Sequence, residues 1–266
     1  MTDTDPESPS TAETADQTNT TATTEATDTT ETSETTNDTQ DLVSLSLSYL
    51  AAARSGDATV ARNELAAVDS AALDELSGEQ ALAVWLNVYN ATAHSRLRED
   101  PTRYERRRRF FSRDLVTVAG TALSLDDIEH GILRGGQWKY GLGYVPDPFP
   151  GAFVGRHRLV DLDERIHFAL NCGATSCPLV RPYEPADLDA DLDRAARTYL
   201  ADETVREGGT LRIPRILLWF RGDFGGRSGI FELLERYGVI EPDERPRIRY
   251  RSYDWSLELD AFADSE

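Results

Sequence analysis

The first forty-one residues differ in composition from the rest of the chain, and the difference limits where a folded core can form. They contain eleven acidic residues and no Lys or Arg, and most of the others are Thr or Ser. A segment with so few apolar side chains cannot bury enough surface to offset the entropy lost on ordering it. The sequence therefore predicts a disordered acidic tail at residues 1–41 and one globular domain at residues 42–266.

Acidic residues outnumber basic ones, and nearly all of the basic residues are arginine. The formal net charge is −19, and Lys139 is the only lysine among 28 basic residues. An acidic, lysine-poor surface keeps a protein hydrated in concentrated salt, where repulsion between carboxylates is screened. We expect a halophilic source, and a codon-driven preference for arginine is the alternative. So strong a negative charge also argues against nucleic acid or an anionic membrane as the main partner.

Targeting and membrane signals are missing from the sequence. The start has no basic segment followed by an apolar one, and no window approaches eighteen consecutive apolar residues. Two cysteines five positions apart do not make a secreted disulfide framework. We therefore expect a cytoplasmic protein without a cofactor or metal, whose partner is an unidentified small molecule or protein.

Hydrophobic periodicity and turn signals predict an α+β fold, with a helix-rich N-terminal half packed on a mixed or antiparallel sheet. Helices are predicted from an N-cap at Asp41 to just before Gly56, over 79–98, from Ser124 to Arg134, and over 188–200 and 231–237. Strands are predicted over 115–118, 165–170, 211–213 and 247–253. Helices that cluster early and strands that cluster late do not suit regular βαβ winding.

Two helices carry polar residues beside their predicted buried faces. On the long helix, Asn87, Asn90 and His94 form one stripe along the margin of the apolar face. They could orient a substrate or loop, or they could bond to the backbone of a neighbouring segment. On the later helix, Glu129 borders apolar surface beside His130, so its pKa should rise or it should find a partner.

The sharpest candidate site is the segment from Arg165 to Pro178. If residues 165–170 form a strand, His167 and Asn171 share one face and Cys172 follows in a loop of small residues. An imidazole near a thiol lowers the thiol's pKa, and loop amides near Gly173 could stabilise an oxyanion. The pattern predicts a cysteine-dependent hydrolase or acyl transferase.

The roles in that enzyme are assigned as follows. Cys172 is the nucleophile and His167 the base, with His130 as a substitute base. Glu129 or Asn87 would orient the imidazole. The predicted binding residues around them are Asn90, His94, Asn171, Gly173 and Cys177.

Other interpretations of the same residues stay open. Both cysteines with His130 and His167 could bind zinc, although one C-x₄-C pair is a weak signal. Cys172 and Cys177 could form a reversible disulfide. The loop could also be a hydrogen-bonded brace in a non-catalytic interaction module. The four arginines 106–109 could mark an anion or nucleic-acid patch or simply a solvated helix end.

Five motifs in order resemble the family catalogued as domain of unknown function 547. They are WLNVYNA at 85–91, SLDDIEHGILR at 124–134, RIHFALNCGATSCP at 165–178, IPRILLWF at 213–220 and YDWSL at 253–257. The resemblance covers nearly the whole predicted domain. It implies a single α+β module without an established activity, sometimes joined to glutaredoxin-like or signalling domains and in plants to a leucine-zipper segment.

The resemblance also implies a distant similarity to papain-like and transglutaminase-like thiol folds. In papain-like enzymes the nucleophilic cysteine heads a long helix whose dipole helps to stabilise the thiolate. Here Pro178 follows six residues after Cys172, which leaves room for at most one helical turn. This departure weakens the expectation of a papain-type mechanism.

Overall fold

The structure, a computed structural model, describes residues 28–263. The α-helices are α1 (Asp28–Ser55), α2 (Thr59–Ala67), α3 (Ser70–Asp74), α4 (Gly78–Glu99), α5 (Arg107–Phe111), α6 (Ala152–His157), α7 (Leu188–Glu203), α8 (Ile216–Trp219) and α9 (Gly226–Arg236). Two 3-10 helices, Pro101–Arg106 and Glu164–Phe168, and a π-helix, Asp127–Leu133, lie between them. The strands are β1 (Asp114–Val118), β2 (Thr121–Ser124), β3 (Val205–Glu207), β4 (Thr210–Ile213) and β5 (Arg247–Tyr250).

Two small sheets accompany the helices. β1 and β2 form an antiparallel hairpin. β4 is the central strand of the second sheet, antiparallel to β3 and parallel to β5. The predicted α+β class is therefore confirmed. In the part of the chain that the structure describes, no helix is both long and apolar enough to cross a bilayer.

The core consists of two apolar clusters. The first lies between α1, α4, the β1–β2 hairpin and the π-helix, and α1 packs along α4. The second lies between α7, α8, α9 and β4. Ile166 belongs to the first cluster and Phe168 to the second. The short segment that carries His167 therefore passes between the two clusters.

Helix α1 begins well before its predicted start. It includes residues 28–41, which the sequence assigns to the tail, so Asp41 lies inside the helix and is not its N-cap. Residues 1–27 lie outside the described part of the chain, and their disorder stays a prediction.

The long helix α4 closely matches its prediction of 79–98. Ser77 and Gln80 form a capping box, in which the Ser77 hydroxyl accepts from the Gln80 backbone N–H and Gln80 Oε1 accepts from the Ser77 backbone N–H. These two bonds satisfy donors that the first turn leaves without helical partners. The helix is buried along most of its length, including Asn87, Asn90 and His94.

The predicted strand over residues 165–170 is wrong, because Glu164–Phe168 forms a 3-10 helix. Asp163 caps this helix by accepting a hydrogen bond from the Arg165 backbone N–H at 2.9 Å. Residues 166–171 are all buried, so the alternation of polar and apolar side chains does not reflect one solvated and one buried face. Alternation alone therefore did not identify a strand here.

The loop from Asn171 to Pro178 is fastened to α4 by side-chain hydrogen bonds. Asn90 donates to the Ala169 carbonyl at 3.0 Å and accepts from the Asn171 backbone N–H at 2.9 Å. Asn171 donates from Nδ2 to the Pro178 carbonyl at 2.6 Å and accepts at Oδ1 from His94 Nε2 at 3.1 Å. All three side chains are fully buried. This set of bonds, here called the α4 clasp, joins both ends of the loop to one rigid helix.

We expect Asn90→Ala to lower the free energy of unfolding by about 1–3 kcal/mol, because it leaves a buried N–H and a buried carbonyl without partners. Chemical denaturation measures the loss. Asn63→Ala, at an exposed position of α2, is the matched control and should change stability little. Equal stability of Asn90→Ala and the control would show that the clasp does not hold the loop.

Candidate functional site

A cavity of about 890 Å³ opens beside the loop that the α4 clasp holds. Residues from the two 3-10 helices, the π-helix, α5, α8 and the C-terminal segment line it. It contains five of the predicted site residues: Glu129, His130, His167, Cys172 and Cys177. Its size suits a small organic molecule.

The two cysteines form a contact pair in this cavity. Both are free, and their Sγ atoms lie 2.7 Å apart. The Cys172 backbone N–H donates to Cys177 Sγ at 3.0 Å, and the Tyr253 hydroxyl lies 3.1 Å from the same sulfur and 3.7 Å from Cys172 Sγ. Cys177 therefore has three potential donors around its sulfur.

These contacts move the pKa values of the two thiols in opposite directions. The hydrogen bond to Cys177 raises the pKa of Cys172 well above its usual value, and burial adds to the increase. Burial alone would raise the pKa of Cys177, but hydrogen bonds from Cys172 and Tyr253 and from the Cys172 backbone outweigh it, so that pKa is lowered. These directions make Cys177 the cysteine of the pair that ionises more readily, with the Cys172 thiol placed to donate to it.

His167 has a different partner from the one predicted. Its Nε2–H donates to Asp223 Oδ2 at 2.8 Å, and its ring stacks on Phe220 with centroids 4.0 Å apart. Burial lowers the pKa of His167 despite the opposing effect of Asp223, so the imidazole is neutral at pH 7. Its remaining nitrogen, Nδ1, is then unprotonated.

A buried ion pair holds Asp223 in place. Arg134 donates from Nε to Oδ2 at 2.6 Å and from a terminal nitrogen to Oδ1 at 3.1 Å. Both side chains are almost completely inaccessible to solvent. Burial favours a higher pKa for Asp223, but His167 and Arg134 outweigh it and lower that pKa. The carboxylate is therefore charged and has the partners that a buried charge requires.

His130 also belongs to this network. Arg134 donates to His130 Nδ1 at 2.9 Å, so Nδ1 carries no proton. Burial lowers the pKa of His130 well below its usual value, and the positive charge of Arg134 lowers it further. Both imidazoles that line the cavity are therefore neutral, and the Asp223 carboxylate beside them is charged.

Glu129 lies on the same wall of the cavity, and its side chain is 15% exposed. The Tyr89 hydroxyl donates to its Oε2 at 3.0 Å. Burial raises the pKa of Glu129 to about 7, against the opposing influence of Arg134. It is a carboxyl group that can accept or release a proton near neutral pH.

The remaining predicted site residues lie behind the loop. Asn90, His94 and Asn171 form the α4 clasp, and Asn87 bonds to the backbone N–H and carbonyl of Tyr183, not to an imidazole. The Gly173 backbone N–H, predicted near an oxyanion, donates to Asn171 Oδ1 at 2.7 Å. Asp223 orients the His167 imidazole, a role that was predicted for Glu129 or Asn87.

Sequence reasoning missed Asp223, Arg134, Tyr89 and Tyr253. Asp223 lies in the sequence RGDFGG, and an acidic residue between glycines is the pattern that could have identified it. Gly143, at φ +83°, packs so tightly on Asp223 that an added Cβ would overlap the carboxylate. The glycine-rich GLGY segment thus covers a buried carboxylate.

The predicted zinc alternative finds no geometric support in the described residues, where no group of three or more His, Cys, Asp or Glu could hold a metal ion. The two imidazoles bond to Asp223 and Arg134, and the two sulfurs bond to each other and to Tyr253.

Residues 73–200 match the model of a family described as "Protein of unknown function, DUF547". The matched region includes α4, the π-helix and the cysteine loop, and it supports the resemblance drawn from the sequence motifs. Searches among curated proteins and among solved structures each found no match.

We expect Glu129→Gln to become more stable relative to the wild type as pH rises from about 5 to 8. In the wild type, the folded protein holds the Glu129 proton more tightly than the unfolded chain does. This contribution to the free energy of unfolding is complete below the unfolded-state pKa near 4.5 and is lost as the pH rises through the folded-state pKa of about 7. Gln keeps an acceptor for Tyr89 but has no charge to bury. The gain should reach at most about 3 kcal/mol.

Denaturation of the wild type and of Glu129→Gln at several pH values measures the difference between their free energies of unfolding. Groups that titrate equally in both proteins contribute nothing to that difference. A difference that stays constant from pH 5 to 8 would contradict the raised pKa of Glu129.

Proposed function

We propose that this protein is a thiol–disulfide exchange enzyme in which Cys177 attacks a substrate disulfide and Cys172 resolves the intermediate. The observation that carries the proposal is the 2.7 Å contact between the two sulfurs inside a cavity large enough for a substrate. A disulfide bond measures about 2.05 Å, so only a small movement separates the reduced pair from the oxidised one. The assignment of roles follows the opposite pKa shifts of the two thiols.

The reaction proceeds in two balanced steps. The Cys177 thiolate attacks one sulfur of the substrate, the substrate S–S bond breaks, and a mixed disulfide forms at Cys177. The departing thiolate takes the proton of the Cys172 thiol. Cys172 then attacks the Cys177 sulfur and releases the second half of the substrate as a thiolate.

Two electrons pass from the cysteine pair to the substrate. The products are two thiol molecules, one of them released as its thiolate, and a Cys172–Cys177 disulfide. Two molecules of a low-molecular-mass thiol would reduce that disulfide, leave as a disulfide of their own, and close the cycle. The role of Tyr253 is to donate a hydrogen bond to the attacking sulfur before reaction, which limits the protonation of Cys177.

A second candidate is thiol-dependent hydrolysis or acyl transfer with Cys172 as nucleophile and His167 as base. The observation in its favour is the bond between His167 Nε2 and Asp223, which fixes the imidazole with an unprotonated Nδ1 in the cavity that also contains Cys172. The contacts of Cys172 itself favour exchange, since its sulfur bonds to Cys177 and Tyr253. The Gly173 amide is also already bonded.

A non-catalytic module is the remaining alternative. The α4 clasp supports it, because those buried bonds would brace the loop whether or not the thiols react.

Single-cysteine variants distinguish the three functions, because the chain has only two cysteines. For exchange, Cys172→Ser and Cys177→Ser should each abolish turnover of hydroxyethyl disulfide. In the absence of a reducing thiol, Cys172→Ser should also accumulate a mixed disulfide at Cys177, visible as added mass, because the resolving thiol is missing. Cys177→Ser should accumulate much less.

The other outcomes contradict exchange. If Cys177→Ser keeps full activity on thioester substrates while Cys172→Ser loses it, the protein is a thiol hydrolase or acyl transferase. If neither cysteine reacts and both variants are strongly destabilised, the loop is a brace.

A further inference from the structure

The four consecutive arginines 106–109 all line the cavity that contains the thiol pair. They end the first 3-10 helix and form most of α5. Arg106, Arg108 and Arg109 are exposed, so their guanidinium groups can reach a molecule that enters from solvent. The run is therefore part of the cavity rim and is more than a solvated helix end.

The charges of these four arginines are not neutralised by ion pairs within the fold. Arginines elsewhere in the protein form ion pairs, for example Arg134 with Asp223 and Arg206 with Glu244. Among residues 38–263, whose side chains the structure describes, no ion pair involves any of the arginines 106–109. A cluster of positive charge without ion-pair partners stands out in a chain whose formal net charge is −19.

Arg107 links this cluster to the thiols. Its guanidinium carbon lies 4.9 Å from the centre of the Trp255 ring and 5.4 Å from that of Tyr104. The Trp255 ring lies 4.6 Å from that of Tyr253, whose hydroxyl contacts Cys177. Cation–π contact holds Arg107 against Trp255. Its positive charge is therefore connected to Cys177 through two aromatic rings, Trp255 and Tyr253.

The other charges at the cavity do not cancel the cluster. Lys139 is paired with Asp126. Glu129 is partly protonated at neutral pH, since burial raises its pKa to about 7. Glu105 is an exposed carboxylate at the rim. The rim keeps a net positive charge, which raises the local concentration of anions.

We propose that the cavity binds an anionic organic substrate, with phosphate or carboxylate groups on the arginine rim and an apolar or aromatic part against Trp255 and Tyr253. The proposal rests on the proposed function for the chemistry at the sulfurs, but the anion site itself does not require that chemistry. Arginine suits both kinds of anion because its planar fork matches their oxygen atoms.

The first test measures anion binding without thiol chemistry. Calorimetric titration of the reduced protein should show that inorganic pyrophosphate binds the wild type. Binding should be at least about tenfold weaker to the triple variant Arg106→Glu, Arg108→Glu, Arg109→Glu, since three charges are reversed. Arg113→Glu, at a neighbouring exposed position outside the cavity, is the control and should bind as the wild type does. A parallel titration with citrate distinguishes phosphate from carboxylate preference.

The second test measures selectivity in the reaction. The wild type should react faster with the dianionic aromatic disulfide dithiobis-nitrobenzoate than with the neutral dithiodipyridine, after division by each reagent's rate with a free thiol. The triple variant should lower this ratio by roughly tenfold, because steering by a charged cleft contributes at least that much. Reaction at the same salt concentration keeps screening equal for both reagents.

The outcomes separate the two proposals. Equal pyrophosphate affinity and an equal rate ratio in wild type and triple variant would overturn the anion site and leave the exchange function standing. Arginine-dependent pyrophosphate binding by a protein whose cysteines react with neither disulfide would support the anion site and overturn the exchange function. Equal losses in the triple variant and Arg113→Glu would show a general charge effect, which also overturns the site.

Discussion

Asn171 and its hydrogen bonds to α4 are the constraint on which the site depends. A loop of small residues has little apolar surface of its own, so packing alone cannot fix its shape. Here the buried side-chain amide of Asn171 bonds to Gly173 and Pro178, near the two ends of the loop. From α4, His94 donates to that amide and Asn90 accepts from the Asn171 backbone N–H. Because an unpaired buried amide costs free energy, the loop has few alternatives to this position. The position of Cys172 and Cys177 follows from it.

The Arg134–Asp223–His167 network is the second constraint on the site. Burial of an unpaired Asp223 would be costly, so Arg134 and His167 must stay bonded to it. Neutral amides therefore fix the cysteine loop, and a charged network fixes His167 in the lining of the same cavity. The two sulfurs already lie 2.7 Å apart, so the pair needs no large rearrangement to bring them together.

Part of this arrangement was predictable from the sequence. The periodicity of α4 gave the helix within a residue or two, and the cysteine loop was predicted as the centre of the candidate site, where it lines the cavity. The strand predicted at 165–170 was wrong: residues 166–170 are all buried, so the alternation of polar and apolar side chains there does not mark a solvated face. Asp223 was missed because its partners, Arg134 and His167, are far from it in sequence. Which cysteine carries the thiolate depends on Tyr253 and on the Cys172 backbone N–H, and local spacing does not reveal such contacts.

We propose that Cys177 is the thiolate of the cysteine pair, and the direct test is the alkylation rate of each cysteine across pH 5–9. Iodoacetamide followed by peptide mass mapping gives both rates in one experiment. The account predicts that Cys177 is alkylated first, with an apparent pKa below the free-thiol value of about 8.5, and that Cys172 reacts more slowly at every pH. Faster alkylation of Cys172, or equal rates with the pKa of a free thiol, would contradict the account.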